Sequence, residues 1–365
     1  MKTWFFRLFS LLAGTLASLL IAEVVLRLHD PFGFRNRGDT IVLPRYKKYD
    51  FTTAIRGLPE VAHVRKNSLG FRGPEPPDES EEPLSIIAVG GSTTECLFLS
   101  EGADWPAVMA THLSHSFPNT WVNNAGIDGH STRGHIALVE QAIQPLRPDI
   151  VVFYIGINET PGDLLTGSER NFIFDELRFV IGRDGIMSLM RYSHVLSAAY
   201  NLANMYYLKS ITAEHDEVDV MALGVAEATE DARKQHLATV DALADGYTER
   251  IRTLVGMVRS WGGLPVLATQ PLLLGPGIDP VTGVDLAKVS IDHLDGLTRW
   301  QRLERVNNIT RAAARTLGAP LLDIATKLTR SSAYFYDLVH YTEAGAAALG
   351  ELFAAELSLV IKRQN

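Results

Sequence analysis

The chain predicts an α/β fold: a parallel five-stranded sheet with helices on both faces, a helical insertion, and an N-terminal transmembrane helix. Three observations predict it. Beyond residue 84, short apolar runs alternate with longer stretches of helical period, the pattern of a parallel sheet covered by crossover helices. Three of the runs lead into glycine turns that carry polar residues, at Gly91-Ser92, Gly129-His130 and Gly156-Ile-Asn158. The chain also opens on an apolar stretch broken by only two charges.

That stretch runs from Trp4 to Leu26, interrupted by Arg7 and Glu23, with no charge at all from Leu8 to Ala22. It is close to the ~20 residues that a membrane-spanning helix needs. Leu20-Ile-Ala22 is a poor cleavage site, so residues 1–27 read as an uncleaved signal-anchor. Lys2 and Arg7 precede the span, while Arg27, Arg35 and Arg37 follow it, so charge counting does not decide orientation. The charged start and apolar core predict that the rest of the chain lies outside the cytoplasmic membrane, in the periplasm or at the cell surface.

Residues 28–84 read as a connecting region. Arg35, Arg37, Arg45, Lys47 and Lys48 make its first part basic, which suits a segment beside anionic lipid or a solvated loop. Asn67-Ser-Leu-Gly-Phe-Arg-Gly73 suggests no chemistry of its own, and the acidic, proline-rich stretch from Pro74 to Pro83 reads as a linker. Residues 85–365 form the main domain. Strands are predicted at 85–90, 120–124, 149–154, 264–269 and 320–323, and helices near 103–116, 133–144, 236–261, 298–317 and 342–360. Residues of about 160–235 break this alternation. Tyr192 to Leu208 is apolar with helical period (Leu196, Ala199, Leu202, Tyr206) and 213–235 is charged, so an insertion beside the site is expected, forming a pocket or a lid.

A net charge of −8 argues against a nucleic-acid surface, and none is expected as partner. Cys96 is the only cysteine, which excludes an intrachain disulfide and reads as a small packing residue. His112 and His115 could share a helix face, but no carboxylate or cysteine is spaced to complete a metal site with them. No metal or organic cofactor is expected.

The chemistry is concentrated at five positions. Ile86-Ile-Ala-Val-Gly-Gly-Ser92-Thr-Thr reads as a buried strand delivering a serine into a tight turn, and Asp337-Leu-Val-His340 places an acid three residues before a histidine. A serine hydroxyl becomes an effective nucleophile when a base takes its proton and a third group orients that base. Between them stand Asn123-Asn-Ala-Gly-Ile-Asp-Gly129-His and Ile150-Val-Val-Phe-Tyr-Ile-Gly156-Ile-Asn158-Glu. Backbone N–H groups and an Asn amide are the usual donors to the oxyanion of acyl transfer. Predicted strands end just before Ser92, Gly129 and Asn158, the placement a parallel sheet gives to functional residues.

Ser92, Gly129, Asn158 and the Asp337/His340 pair match, in order, the four blocks of the SGNH (GDSL-like) hydrolase family, and the chain resembles its membrane-anchored bacterial members over about residues 85–355. The resemblance implies a flavodoxin-like sheet, Ser92 as nucleophile, and an oxyanion hole made by the N–H groups of Ser92 and Gly129 and the Asn158 amide. It implies His340 as base and Asp337 as its partner. Two positions depart from the common pattern: Gly91 stands where the family's naming motif has Asp, and Glu159 follows Asn158 where many relatives carry Asp. The α/β-hydrolase reading is weaker, since Thr94 occupies the place of the second glycine in Gly-x-Ser-x-Gly.

Other residues compete for roles. Asp323 ends the fifth predicted strand but has no histidine at short range, Gln270 follows the fourth strand and either lines the cleft or forms a turn, and His130 follows the oxyanion glycine. The leading reading is a serine esterase or acylhydrolase acting on a small-molecule or glycan ester, including acylated envelope carbohydrates. An O-acyltransferase could use the same site on an envelope or exported glycan. A non-enzymatic glycan-binding assembly factor would have no need of all five positions.

Overall fold

The computed structural model describes residues 2–29, 31–38, 40–78, 82–159, 183–209, 216–291 and 294–364. The chain divides into two compact units, Met1–Pro44 with Ser168–Ile211, and Arg45–Gly167 with Thr212–Asn365.

The second unit holds the sheet. Its five strands are all parallel and mostly hydrophobic, as strands covered by helices on both faces are. We number the strands from the chain start, with β1 (Lys48–Thr52) and β2 (Val61–Arg65) forming an antiparallel hairpin ahead of them. The sheet strands are β3 (Leu84–Gly90), β4 (Thr120–Asn124), β5 (Ile150–Tyr154), β6 (Leu264–Ala268) and β7 (Leu321–Leu322). Their spatial order is β4-β3-β5-β6-β7, the flavodoxin-like order. It reverses between β3 and β5, so a crevice opens where those two strands end.

Around the sheet lie α2 (Ser92–Glu95), α3 (Trp105–Ser114), α4 (Thr132–Leu138), α7 (Glu230–Asp241), α8 (Ala244–Ser260), α9 (Gly296–Leu317) and α10 (Glu343–Gln364). Asp104 caps α3 through the Ala107 N–H, and Pro106 sits in its first turn, both ordinary start signals. Asp295 caps α9 through the Thr298 N–H, and Gly318 closes that helix in the left-handed conformation. α3 and α10 pack closely enough for the Trp105 and Phe353 rings to stack at 4.1 Å. A Cβ at Gly350 would come within 2.6 Å of Val108, so only glycine permits that approach.

Two expectations need correction. Residues 45–73 are folded into the second unit rather than merely connecting. Ala62 and Val64 of β2 are buried while Val61, His63 and Arg65 face out, the period-two alternation of a half-buried strand. The single helix expected at 236–261 is two, α7 and α8, both packed on α9.

The first unit is mostly helical, with one short antiparallel strand pair, Asn36–Arg37 and Thr40–Ile41. α1 (Lys2–Leu28) and α10 are the two helices among the described residues long and apolar enough to cross a membrane. The buried face of α10 marks it as a core helix, whereas the apolar window of α1 is unburied. With α1 lie α5 (Arg183–Tyr192) and α6 (His194–Lys209). Glu23 explains its own presence in an apolar run. Its carboxylate accepts the His194 and Val195 N–H groups at 2.9 and 3.0 Å and the Ser193 hydroxyl at 3.0 Å, so it caps α6, whose first N–H groups have no partner within the helix. The expected insertion therefore divides: its 183–209 helices belong to the first unit and 216–235 to the second. Its remainder, 160–182 and 210–215, lies outside the described residues.

Candidate active site

Ser92 is the first residue of α2, directly after β3, and the turn continues to Cys96, which closes it in the left-handed conformation at φ +50°. The loop after β7 and its 3₁₀ turn carries Asp337 and His340. His340 Nε2 stands 2.7 Å from Ser92 Oγ, and His340 Nδ1 stands 2.5 Å from Asp337 Oδ2. All three residues are buried. Asp337 Oδ1 accepts the N–H groups of Val339 and His340 at 2.8 and 2.7 Å. Burial pushes this carboxyl up, but the charge of His340 and these hydrogen bonds outweigh burial and hold it below the usual carboxylate range. With Asp337 ionised and the ring proton on Nδ1, Nε2 is left to accept the serine proton.

Gly129 lies on the loop after β4 with φ +71°, a conformation that favours glycine. Asn158 lies in a 3₁₀ turn after β5 and donates from Nδ2 to the His130 carbonyl at 2.9 Å. A Cβ at Gly91 would come within 2.4 Å of Asn158 Nδ2. The glycine that departs from the family's naming motif thus leaves room for the Asn158 amide beside the serine turn. An amide nitrogen carries two hydrogens, so one remains beyond the His130 bond.

Glu159, the other departure, accepts the Thr132 N–H at 2.5 Å and pairs with Arg250 at 2.5 Å, and Arg250 Nε donates to the Thr132 hydroxyl. It fastens the start of α4 to α8. Asp323, the rival acid, is occupied by two hydrogen bonds from Arg311 and one from the Thr269 hydroxyl.

The cleft beside Ser92 is lined by Phe98, Leu99, Asp128, Tyr336 and His340. The Tyr336 ring stacks on the His340 ring at 5.6 Å. Cys96 borders the cleft too, but burial above all pushes its thiol up to about 12, which leaves it protonated and unreactive at neutral pH.

Several residues outside the five predicted positions hold these groups in place, among them Gln270, which the sequence offers as lining the cleft or forming a turn. Gln270 donates to the Thr93 hydroxyl at 2.9 Å and accepts the Ile157 N–H at 2.6 Å. It thereby joins the serine turn to the Asn158 turn. Arg72 donates to the carbonyls of Glu95, Cys96 and Leu99 at 2.7–2.8 Å, so the segment 67–73 buttresses the serine turn. Asp279 accepts the Ser332 N–H and hydroxyl at 3.0 and 2.7 Å, tying down the loop that leads to Asp337. The available signal was the presence of polar and charged residues inside short apolar stretches; their partners are too distant in sequence to be read.

Residues 88–348 match the GDSL-like Lipase/Acylhydrolase family. No curated protein matches the chain. Similar solved structures include an acetylxylan esterase from Geobacillus stearothermophilus, with 16% identity and TM-score 0.41, covering 76% of this chain and 96% of that one. Another is a lipolytic protein of the G-D-S-L family from Desulfitobacterium hafniense, with 13% identity and TM-score 0.39, covering 74% and 98%.

Proposed function

Since the chain belongs to the GDSL-like lipase/acylhydrolase family, and so is an ester-hydrolysing serine hydrolase, we propose that Ser92, His340 and Asp337 are its catalytic triad. The observation that carries this reading is the unbroken chain of contacts from Ser92 Oγ through His340 to Asp337.

Ser92 Oγ attacks the ester carbonyl while its proton passes to His340 Nε2, and a C–O bond forms to the serine. Asp337 holds the ring and stabilises its positive charge without taking the proton. The carbonyl oxygen, now an oxyanion, is received by the N–H groups of Ser92 and Gly129 and the free amide hydrogen of Asn158. As the tetrahedral intermediate collapses, the ester C–O bond breaks and His340 returns its proton to the leaving alcohol. Water then attacks the acyl-enzyme, giving its proton to His340, and the acid is released with Ser92 restored. Every proton is accounted for by His340, so the chemistry calls for no metal or organic cofactor.

The substrate class is an O-acyl ester, with an acylated carbohydrate of the cell envelope as the natural case. Its support is the resemblance to membrane-anchored members of the family, together with α1, a helix long and apolar enough to serve as a tether. Phe98 and Leu99 beside Ser92 supply an apolar wall for the acyl group.

The test is covalent labelling by a fluorophosphonate and hydrolysis of a panel of acetyl and longer acyl esters, with wild type and S92A side by side. Wild type should label and turn over; S92A should fold and do neither. Turnover by purified S92A near the wild-type rate would sink the triad. Transfer of the acyl group to an added glycan, in place of its release, would make the enzyme an acyltransferase. Protease treatment of spheroplasts tests the tether: the second unit should be digested without lysis and released only by detergent.

A further inference from the structure

Glu95 is fully buried three residues after Ser92, and its two carboxylate oxygens go in different directions. Oε1 lies 3.0 Å from Lys66 Nζ, a pair whose side chains are 0% and 2% exposed. Oε2 accepts the backbone N–H of Asp128 at 2.8 Å, the residue before Gly129. The backbone of the same turn meets the same loop a second time: a Cβ at Gly126 would fall 2.3 Å from the Glu95 nitrogen. The serine turn and the Gly129 loop are therefore seated on each other at two points, one of them through the Glu95 side chain.

Burying an ion pair is a poor way to gain stability, because desolvation consumes most of the attraction and apolar residues of the same shape often serve as well. What the carboxylate supplies and an apolar residue cannot is a fixed acceptor for a backbone N–H. We propose that Glu95 is a positioning residue that sets the spacing between the Ser92 and Gly129 N–H donors, with Lys66 as the buried partner of its other carboxylate oxygen. The inference rests on the oxyanion hole described above. It also makes β2 and the segment after it, which precede the 88–348 family match, part of the support beneath the serine turn. Arg72 acts in the same sense on the carbonyl side of the turn.

The test compares two double variants of the full-length enzyme in detergent, each of which removes both members of the Lys66–Glu95 pair. K66M/E95Q retains a side-chain oxygen for the Asp128 N–H; K66M/E95M has nearly the same shape and no acceptor. We expect K66M/E95Q to keep kcat within about threefold of wild type. K66M/E95M should lose about tenfold or more, with KM unchanged and slower fluorophosphonate labelling, the scale on which small misplacements act. Equal kcat in the two variants overturns the proposal. Should K66M/E95M fail to fold, hydrogen exchange decides: the Asp128 amide must be protected in wild type and K66M/E95Q, and exchange at the rate of an open loop overturns the proposal. S92A separates the two levels. If S92A is inactive and the double variants agree, only this inference fails; if S92A turns over, the catalytic reading fails and takes this inference with it.

Discussion

Gln270 donates to the Thr93 hydroxyl at 2.9 Å, across the sheet from the end of β6 to the residue beside Ser92. Its oxygen accepts the Ile157 N–H, next to Asn158, and its own backbone is held by Asn307 of α9 through two bonds of 2.9 and 3.0 Å. One side chain thus sets the distance between serine and amide. Q270M, which keeps the length and removes both hydrogen bonds, should lower kcat about tenfold or more with little change in KM. Steady-state kinetics on a soluble acetyl ester reads this directly.

Asn158→Ala should lower kcat by about a hundredfold or more, the usual loss for one oxyanion donor. A change confined to KM would instead make Asn158 a substrate-positioning residue.

Asp337→Asn should be less damaging than His340→Ala, since the acid orients the base without accepting its proton. Comparing kcat/KM for the two variants checks this. Equal losses would mean that Asp337 does more than orient.

Acid should destabilise the second unit partly through His135. This ring of α4 is 2% exposed, and burial, only partly offset by the Gly90 backbone, pushes it down to about 4. An unfolded histidine takes its proton near pH ~6.5. Between those values the unfolded chain binds the extra proton, so stability falls as pH falls from about 6.5 to 4, by up to about 3 kcal/mol. His135→Gln cannot titrate and should show a shallower loss over that window. Denaturant melts at pH 7 and pH 4.5 give the difference.

Glu23→Ala should loosen α6 from α1, removing the acceptor for two N–H groups at the helix start. Caps of this kind contribute about 1 kcal/mol, so trypsin or chymotrypsin should cut within 183–209 about fivefold faster in detergent-solubilised protein. The second unit's cleavage should be unchanged.

The elements that carry Ser92, Gly129 and Asn158 were legible before folding because their signals are local. β3, β4 and β5 are apolar runs that stop at glycine turns, and hydrophobic alternation with helical stretches already implies a parallel sheet whose functional groups gather at one edge. Asp337 and His340 are three residues apart, so their pairing needs only one loop. The limits of local signals show in α7 and α8: Ala242 and Leu243 carry no breaking residue, and the helix divides there as the two parts pack on α9. β2 is a five-residue alternation, too short to stand out from a basic loop. Tertiary structure alone decided what Lys66, Arg72, Glu95 and Gln270 do, since each is a polar side chain whose partners lie from 23 to 177 residues away in sequence. Burial in a medium of low dielectric makes an unpaired charge or amide costly, so such residues must find partners, but only the folded chain determines which ones.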